Sequence, residues 1–525
     1  MRSRLLVMFL LGLFVLSTPI HAFAQSEGLQ EQKWGSKEND FSKMGKIGNR
    51  NNETPGEWFL GDTPPNPQPD APVLLFVPGL NNVAQIFLEK NGLYQAAYQA
   101  GYETAFIQLY DAGGTSADMW KNGKLLAEKI KEISEYFNGK PITIIAYSKG
   151  GVDTQAAVTY YGAWPYVHNV ITLSSPHHGS ELADLANSKW AGWLADLLGV
   201  RGEGMAAVET GYMEYFRSMT DDKPYAYVND FYTVGGRDWG KIFSPTWFGG
   251  VYLSEFGEND GVVTVASSRL PKGQEIEIGN WNHISIRSSI IFPVIEHYLS
   301  APGKKNNKQK SSLMYLTVPN GDRFIHGNKI TKNKKTKQVF PIETHVDKAT
   351  LQLYTGHQLA EVHLVDPKGN VHAVTQNVTM EDTGIFDGAK AYSVEVENPL
   401  PGEWSIQMKS SQENAYLLHA QFNKAKTKNI ISHVNHDKNV VKEYQLKVDK
   451  SAVKETSLEA VYTVIDSKNR TNVWTWKTKG TLNLSKDLSH LQKNRNYNIT
   501  VDITGETNSG SPFKRTIIDS VYLSN

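Results

Sequence analysis

Ser148 stands in Ala146-Tyr147-Ser148-Lys149-Gly150-Gly151, directly behind the apolar run Pro141-Ile142-Thr143-Ile144-Ile145. That order predicts a buried parallel strand, a tight turn and a helix start, with the serine at the apex of the turn. An apex of this kind exposes a hydroxyl beside the positive end of a helix. It suits a nucleophile that attacks an acyl carbon and carries the acyl group as a covalent ester. The motif departs from G-x-S-x-G at one position, where Ala146 replaces the first glycine. Alanine adds a single methyl at a point where strand and helix must pass closely. A serine in a strand-to-helix turn can also be a plain helix cap, so the rest of the chain must supply the partners that chemistry needs.

A serine hydroxyl is a weak nucleophile at neutral pH. It needs a base to take its proton, an acid to orient that base, and backbone donors for the oxyanion that develops. On a strand-turn-helix elbow these follow in the chain order serine, acid, histidine. His283, in Asn280-Trp281-Asn282-His283, follows the last predicted strand and is the candidate base. His177 and His178 precede every candidate acid, and His297 falls within an apolar helical pattern. Asp260, in Glu258-Asn259-Asp260-Gly261-Val262-Val263, is the candidate acid. Asp238, in Gly235-Gly236-Arg237-Asp238, is its rival, and an Asp-Gly pair also makes plain turns. The expected oxyanion donors are the backbone N–H groups of Lys149, next after the nucleophile, and of Leu80 in Val77-Pro78-Gly79-Leu80-Asn81.

The elements that must hold these residues are legible between about 71 and 301. Val73–Val77, Thr104–Leu109, Ile142–Ile145, Val170–Leu173, Asp230–Val234 and Glu275–Ile278 read as six strands. Leu126, Ile130, Ile133 and Phe137 recur at helical spacing between the second and third. Strands alternating with helices predict an α/β fold with a mostly parallel sheet, whose sites form at the carboxyl ends of the strands. Between Gly179 and Val228, Leu182, Leu185, Trp190, Trp193, Leu194, Leu197 and Leu198 crowd a helical pattern. It fits either a core helix packed on the sheet or a lid that opens onto lipid.

Outside that region the pattern changes. Residues 1–24 read as a secretory signal peptide, with Arg2 and Arg4, an apolar Leu5–Leu16 too short to span a bilayer, and Ala22-Phe23-Ala24 before the cleavage point. Residues 25–70 read as an extended polar segment ending in Pro64-Pro65-Asn66-Pro67-Gln68-Pro69. Residues 302–345 read as a basic linker and loop region, with a second basic run at Lys332–Lys337. Residues 346–424 and 425–525 each carry short alternating strands and turn signals without a helical period, predicting two sandwich-like all-β domains. Trp404, Trp474 and Trp476 in these regions are either surface aromatics or sandwich core.

Composition narrows the function. The chain has 54 basic and 54 acidic residues, so nothing suggests nucleic acid as a partner. No segment after the signal is long and apolar enough to span a membrane. Cysteine is absent, which excludes thiol nucleophiles, thiolate metal sites and disulfides. The signal peptide, with cleavage near Ala24, makes the expected location extracellular.

Phe-Val-Pro-Gly-Leu, Ala-Tyr-Ser-Lys-Gly-Gly, Ser174-Ser175-Pro176-His177-His178-Gly179-Ser180 and Asn-Asp-Gly-Val-Val, in this order, resemble secreted bacterial lipases and esterases of the α/β-hydrolase superfamily. Within it they resemble most the group of Pseudomonas and Burkholderia lipases. The resemblance covers roughly residues 71–300 and implies Ser148, Asp260 and His283 as a triad. It implies a carboxylic ester hydrolase acting on acylglycerols or similar lipophilic esters, with no cofactor and with a lipid or polymer surface as possible partner. Two departures stand out. Pro78 replaces the histidine of the usual His-Gly, which leaves the Leu80 donor in place. Those lipases also hold calcium partly through an aspartate two residues after the histidine, where Ser285 stands here, so Asp238 is at most half of such a site and calcium stays unassigned. Two other functions fit the same residues: a polyester depolymerase whose β regions hold the polymer, and a cell-surface binding protein with an inactive hydrolase-like domain.

Overall fold

The six buried runs of the α/β region form neighbouring strands of one sheet in the computed structural model. It describes residues 53–89, 91–113, 116–300, 322–381, 383–424 and 443–525, with the short strands Lys33–Trp34, Lys46–Ile47, Arg50–Asn51 and Ile431–His433. The expected signal peptide and the first part of the expected linker, 302–321, lie outside the described residues. With β1 as Trp58–Gly61, the strands are β2 Val73–Val77, β3 Thr104–Ile107, β4 Ile142–Tyr147, β5 Val167–Leu173, β6 Asp230–Gly236 and β7 Gln274–Gly279. They run in the order β1-β3-β2-β4-β5-β6-β7, with Lys33–Trp34 outside β1. All pairs are parallel except β1 with β3. β2 and β4 are buried along their whole length, as strands covered on both faces must be. β7, at the edge, alternates exposed and half-buried residues.

β1 corrects the sequence reading of 25–70 as an extended segment. Trp58-Phe59-Leu60 are each at most 8% exposed and pair with β3. Three apolar residues amid prolines and glycines carry too little periodicity to announce a strand.

Helix α1 is Leu93–Gln99 and α2 is Met119–Tyr136, whose Asp118 cap accepts a hydrogen bond from Lys121 N at 2.9 Å. α2 buries Leu126, Ile130 and Ile133 on the sheet and runs close to α3, Lys149–Tyr160. A methyl on Gly123 would lie 2.8 Å from Ala156 Cβ, so that crossing requires glycine.

The crowded stretch after Gly179 forms α4 Glu181–Asn187, α5 Gly192–Leu198, α6 Glu203–Ala207 and α7 Thr210–Thr220. Leu182, Leu185, Leu194 and Leu198 are buried, but not against the parallel sheet. They share one apolar cluster with Ile325, Tyr354, Ala415, Leu417 and Ile518 of the C-terminal β region. Neither reading of this stretch, core helix on the sheet or lid facing lipid, describes that packing: its apolar face is covered by the chain's own β strands. Trp193 and Leu197 remain 45% and 42% exposed.

The C-terminal half is all antiparallel β. A five-stranded sheet runs Arg323–Ile330, Asn414–Asn423, Lys348–Thr355, Lys390–Glu397, Thr375–Thr379. A four-stranded one runs Lys335–Ile342, Gly402–Lys409, Glu361–Val365, Val371–His372. Their facing sides close over Phe340, Leu351, Trp404, Ile406 and Leu418. Arg323–Ile330 and Lys335–Ile342 lie inside the stretch expected to be linker and loop up to 345. The lysines at 335 and 337 alternate with half-buried Thr336 and Gln338, so the charge sits on the solvated face of a strand. The last region pairs a sheet of Ile431–His433, Glu443–Val448 and Leu484–Asp487 with one of Val473–Lys479, Glu459–Asp466, Arg495–Glu506 and Pro512–Leu523. Trp404 is core at 1% exposure, whereas Trp474 and Trp476 pack half-buried on the last region's core. Among the described residues no helix is long and apolar enough to cross a membrane.

A buried ionic cluster ties the start of the β region to its end. Glu343 pairs with Arg515 and with Lys424 Nζ at 2.7 Å, and Arg515 Nε donates to Asp322 at 3.0 Å. Burial alone would raise the Glu343 carboxyl, but Arg515 and Lys424 reverse that and hold it near about 2 against an ordinary 4.5. A depressed carboxylate stabilises the fold above its unfolded value and loses that contribution as pH falls through the folded one. We expect the melting temperature to drop between pH 4.5 and 2. Glu343→Gln should melt lower at pH 7 and show a shallower acid slope; an unchanged slope would remove Glu343 from the cause.

Candidate active site

Ser148 leaves the end of β4 with φ 53° and ψ −132°, a backbone conformation that side chains rarely adopt. Small neighbours make the turn possible. A methyl on Gly150 would lie 2.4 Å from Pro78 O, and one on Gly151 would lie 2.1 Å from Ser175 Oγ. Ala146, buried in β4 beside Val77, fills the place of the first glycine without strain at that position. The Ser148 N–H donates to Leu173 O at 2.9 Å, so the end of β5 holds the elbow. The held backbone presents the hydroxyl at the carboxyl edge of the sheet, where the helix α3 begins.

His283 and Asp260 arrive from loops at the same edge. His283 Nε2 lies 3.1 Å from Ser148 Oγ, and its Nδ1 lies 2.7 Å from Asp260 Oδ2. The second carboxylate oxygen, Oδ1, accepts from Val262 N at 2.9 Å and Val263 N at 2.8 Å. His283 N donates to Asp260 O at 2.9 Å, so backbone and side chain both fix the pair. The carboxylate therefore cannot turn away from the imidazole. Asp260 is fully buried, His283 is 1% exposed and Ser148 is 8% exposed. Gly261, at φ 95°, permits the turn; a methyl there would lie 2.3 Å from Thr246 O. The Tyr147 ring stacks at a tilt on His283, 5.0 Å between centroids.

The rivals are placed elsewhere. Asp238 Oδ1 accepts from Gly240 N at 3.0 Å within its own turn. His177 is buried, with Nε2 3.3 Å from Thr172 Oγ1, and burial lowers its pKa well below 6.5. His297 lies in the last turn of α8, Phe292–Leu299, with its ring against Tyr298. Ser285 Oγ accepts from Asn282 N at 3.0 Å, a turn-forming role. Among the described residues no group of three or more His, Asp or Glu is arranged to hold a metal ion.

Both expected oxyanion donors border Ser148. Lys149 is the first residue of α3, whose N–H has no partner within the helix. The Leu80 loop is pressed onto the nucleophile, since a methyl on Gly79 would lie 2.6 Å from Ser148 Cβ. Sequence reading missed two features around this loop. One is a buried polar cluster under the Lys149 side chain. The other is a C-terminal loop over Leu80, in which Gly384 O accepts from Asn81 Nδ2 at 3.1 Å and Ile385 and Phe386 join Leu80 in one apolar cluster. The Lys149-x-x-x-Asp153 spacing on a helix was a legible signal for the first. A contact across some three hundred residues left none for the second.

No family model matches this chain. The structure of a Bacillus licheniformis lipase, BlEst2, in its propeptide form is 32% identical, with a TM-score of 0.76 over 90% of this chain and 98% of that one. The same lipase in its mature form is 43% identical over 47% of this chain and all of that one, with a TM-score of 0.45. Triacylglycerol lipase 2 of Saccharomyces cerevisiae is 24% identical over 168 residues, and the chain spans about half, 52%, of that relative's length. These likenesses bear on lipases and esterases broadly, not on the Pseudomonas and Burkholderia group among them.

Proposed function

The chain belongs to the lipase–esterase family of α/β-hydrolases, and on that premise we propose that it cleaves lipophilic carboxylic esters through an acyl-enzyme on Ser148. The observation that carries this reading is the unbroken hydrogen-bonded line from Ser148 Oγ through His283 to Asp260, at 3.1 and 2.7 Å. In the first step His283 Nε2 takes the hydroxyl proton as Oγ bonds to the carbonyl carbon. The carbonyl electron pair moves to oxygen, where the N–H groups of Leu80 and Lys149 stabilise it. The pair returns, the C–O bond to the alcohol breaks, and the alcohol leaves with the proton from His283. Water then repeats the sequence and releases the acid. Asp260 keeps the imidazole oriented and stabilises its cationic form. Acylglycerols are the proposed substrate class, and export after cleavage near Ala24 the proposed route out of the cell. Hydrolysis of p-nitrophenyl esters from short to long acyl chains, with fluorophosphonate labelling of Ser148, tests the reading. A peak on long chains with label on Ser148 supports it; label elsewhere or none rejects it.

A second element of this proposal is that the chain described here is a latent form. The Bacillus relative was solved in a propeptide form, and here the Thr383–Asp387 loop sits on the Leu80 loop. That loop is braced internally, with Thr383 N and Oγ1 donating to Asp387 Oδ1 at 3.0 and 2.8 Å. Ile385 and Phe386, at 4% and 3% exposure, share one apolar cluster with Leu80, Leu182, Val262 and Val263, residues beside the expected oxyanion donor and Asp260. Limited proteolysis within 301–321, followed by dissociation of the β region, should raise kcat/KM on a long-chain ester at least about tenfold, since an apolar plug competes with an apolar acyl chain for one surface. An unchanged rate after complete dissociation would reject latency.

A further inference from the structure

Beneath the nucleophile elbow lies a polar cluster sealed from solvent. Lys149, Asp111 and Asp153 are each 1% exposed and Asn122 is fully buried. Lys149 Nζ donates to Asp153 Oδ1 and Oδ2 at 3.0 and 2.9 Å and lies 3.5 Å from Asp111 Oδ2. Asn122 Nδ2 bridges the carboxylates, at 2.6 Å from Asp111 Oδ2 and 3.0 Å from Asp153 Oδ2. Asp111 Oδ1 accepts the backbone N–H of Asn81 at 3.1 Å. Burial pulls the Lys149 ammonium down, and Asp111 and Asp153 more than reverse this, so the ammonium stays charged.

Three separate elements meet here. Asn81 follows Leu80 in the loop after β2, Asp111 lies in the turn after β3, and Lys149 opens α3. A charged group removed from water is costly unless it is paired and hydrogen-bonded, and a fixed burial of this kind sets geometry more than it adds stability. The residues joined are neighbours of both expected oxyanion donors. Lys149 opens α3 directly after Ser148, so its N–H has no partner within the helix, while its side chain is anchored in the cluster. The Asn81 N–H, turned into the cluster, fixes the peptide next to Leu80, and Asn81 holds the left-handed conformation that this needs, at φ 54°.

We propose that Asp111 and the Lys149 side chain are positioning residues that set the spacing of the two halves of the oxyanion hole, Leu80 N–H and Lys149 N–H. This rests on the serine hydrolase reading of Ser148. Removing a single oxyanion donor outright costs about 10²- to 10³-fold in kcat, so displacing one costs less. Asp111→Ala leaves the Asn81 N–H without its acceptor. Asp111→Asn is not a conservative control, because an amide that keeps its oxygen on the Asn81 N–H turns its NH₂ onto Asn122 Nδ2, itself a donor.

The test measures kcat and KM on a medium-chain p-nitrophenyl ester, and the affinity for a trifluoromethyl ketone of the same chain length, which forms a tetrahedral oxyanion on the serine. An ether of the same shape, which has no carbonyl, reports ground-state binding. Wild type, Ser148→Ala and the Asp111 variants are processed identically. Asp111→Ala is expected to lower kcat by roughly ten- to a hundredfold and to weaken the ketone by the same factor. KM and ether affinity should move less than about twofold. Should the alanine variant fail to fold, Asp111→Ser carries the same expectation, being too short to reach Asn81. Wild-type kcat in the alanine or serine variant, or a loss confined to KM, would overturn the proposal. An Ser148→Ala protein as active as wild type would instead overturn the underlying site assignment, whatever the Asp111 variants do.

Discussion

Ser148→Ala is expected to lower kcat/KM on p-nitrophenyl esters at least about 10⁴-fold while leaving the fold intact. The hydroxyl is the atom that bonds to substrate, and it lies 3.1 Å from His283 Nε2. The structural cost of its removal is small. Ser148 already holds φ 53°, the elbow is anchored through its backbone N–H to Leu173 O, and alanine fits the same backbone. Melting should therefore shift by only a few degrees. The measurement is the ester rate with the melting temperature read on the same sample. Loss of rate with a normal melt assigns the chemistry to the hydroxyl. Retention of the rate at every chain length would remove Ser148 as the nucleophile, and no rate in either protein at any chain length would give the binding-protein reading precedence.

The second large effect separates the two aspartates that the sequence left as rivals. Asp260→Asn should lower kcat by about 10⁴-fold, as the equivalent change does in serine hydrolases built on the same triad, because an amide can hold the imidazole in the wrong tautomer. Asp260 Oδ2 faces His283 Nδ1 at 2.7 Å, while Oδ1 is committed to Val262 N and Val263 N. An asparagine there would keep its oxygen on the two N–H groups and present its NH₂ to Nδ1, forcing the proton onto Nε2, where the serine proton must go. Asp238→Asn should leave kcat within about twofold of wild type, since Asp238 only closes its own turn onto Gly240 N. Equal losses in the two variants, or a larger loss in Asp238→Asn, would transfer the acid to Asp238.

Much of this arrangement is legible in the sequence, for local reasons. The six strands around Ser148 are short apolar runs bounded by turns, and a parallel sheet demands that pattern because both its faces are covered. The elbow was legible because one backbone conformation, one exposed hydroxyl and close strand–helix passage restrict the residue types at successive positions. β1 was not legible: Trp58-Phe59-Leu60 is too brief to show a period. Nor were Arg323–Ile330 and Lys335–Ile342, since a strand with one solvated face may carry lysines on alternate positions and looks like a basic loop. The stretch after Gly179 showed its apolar face plainly, but a face does not say what will cover it.

The amino-acid sequence by itself determined the parallel-sheet scaffold and the types of residue available at its carboxyl edge, because backbone conformation and burial periodicity are written over a few neighbouring positions. The tertiary structure alone decided which aspartate meets His283, that Asp111 and Asn81 join Lys149 beneath the nucleophile, and that Gly384 comes to rest against Asn81. Those choices depend on hydrogen bonds a few ångströms long between residues tens to hundreds of positions apart, and such distances are set only when the whole chain has packed.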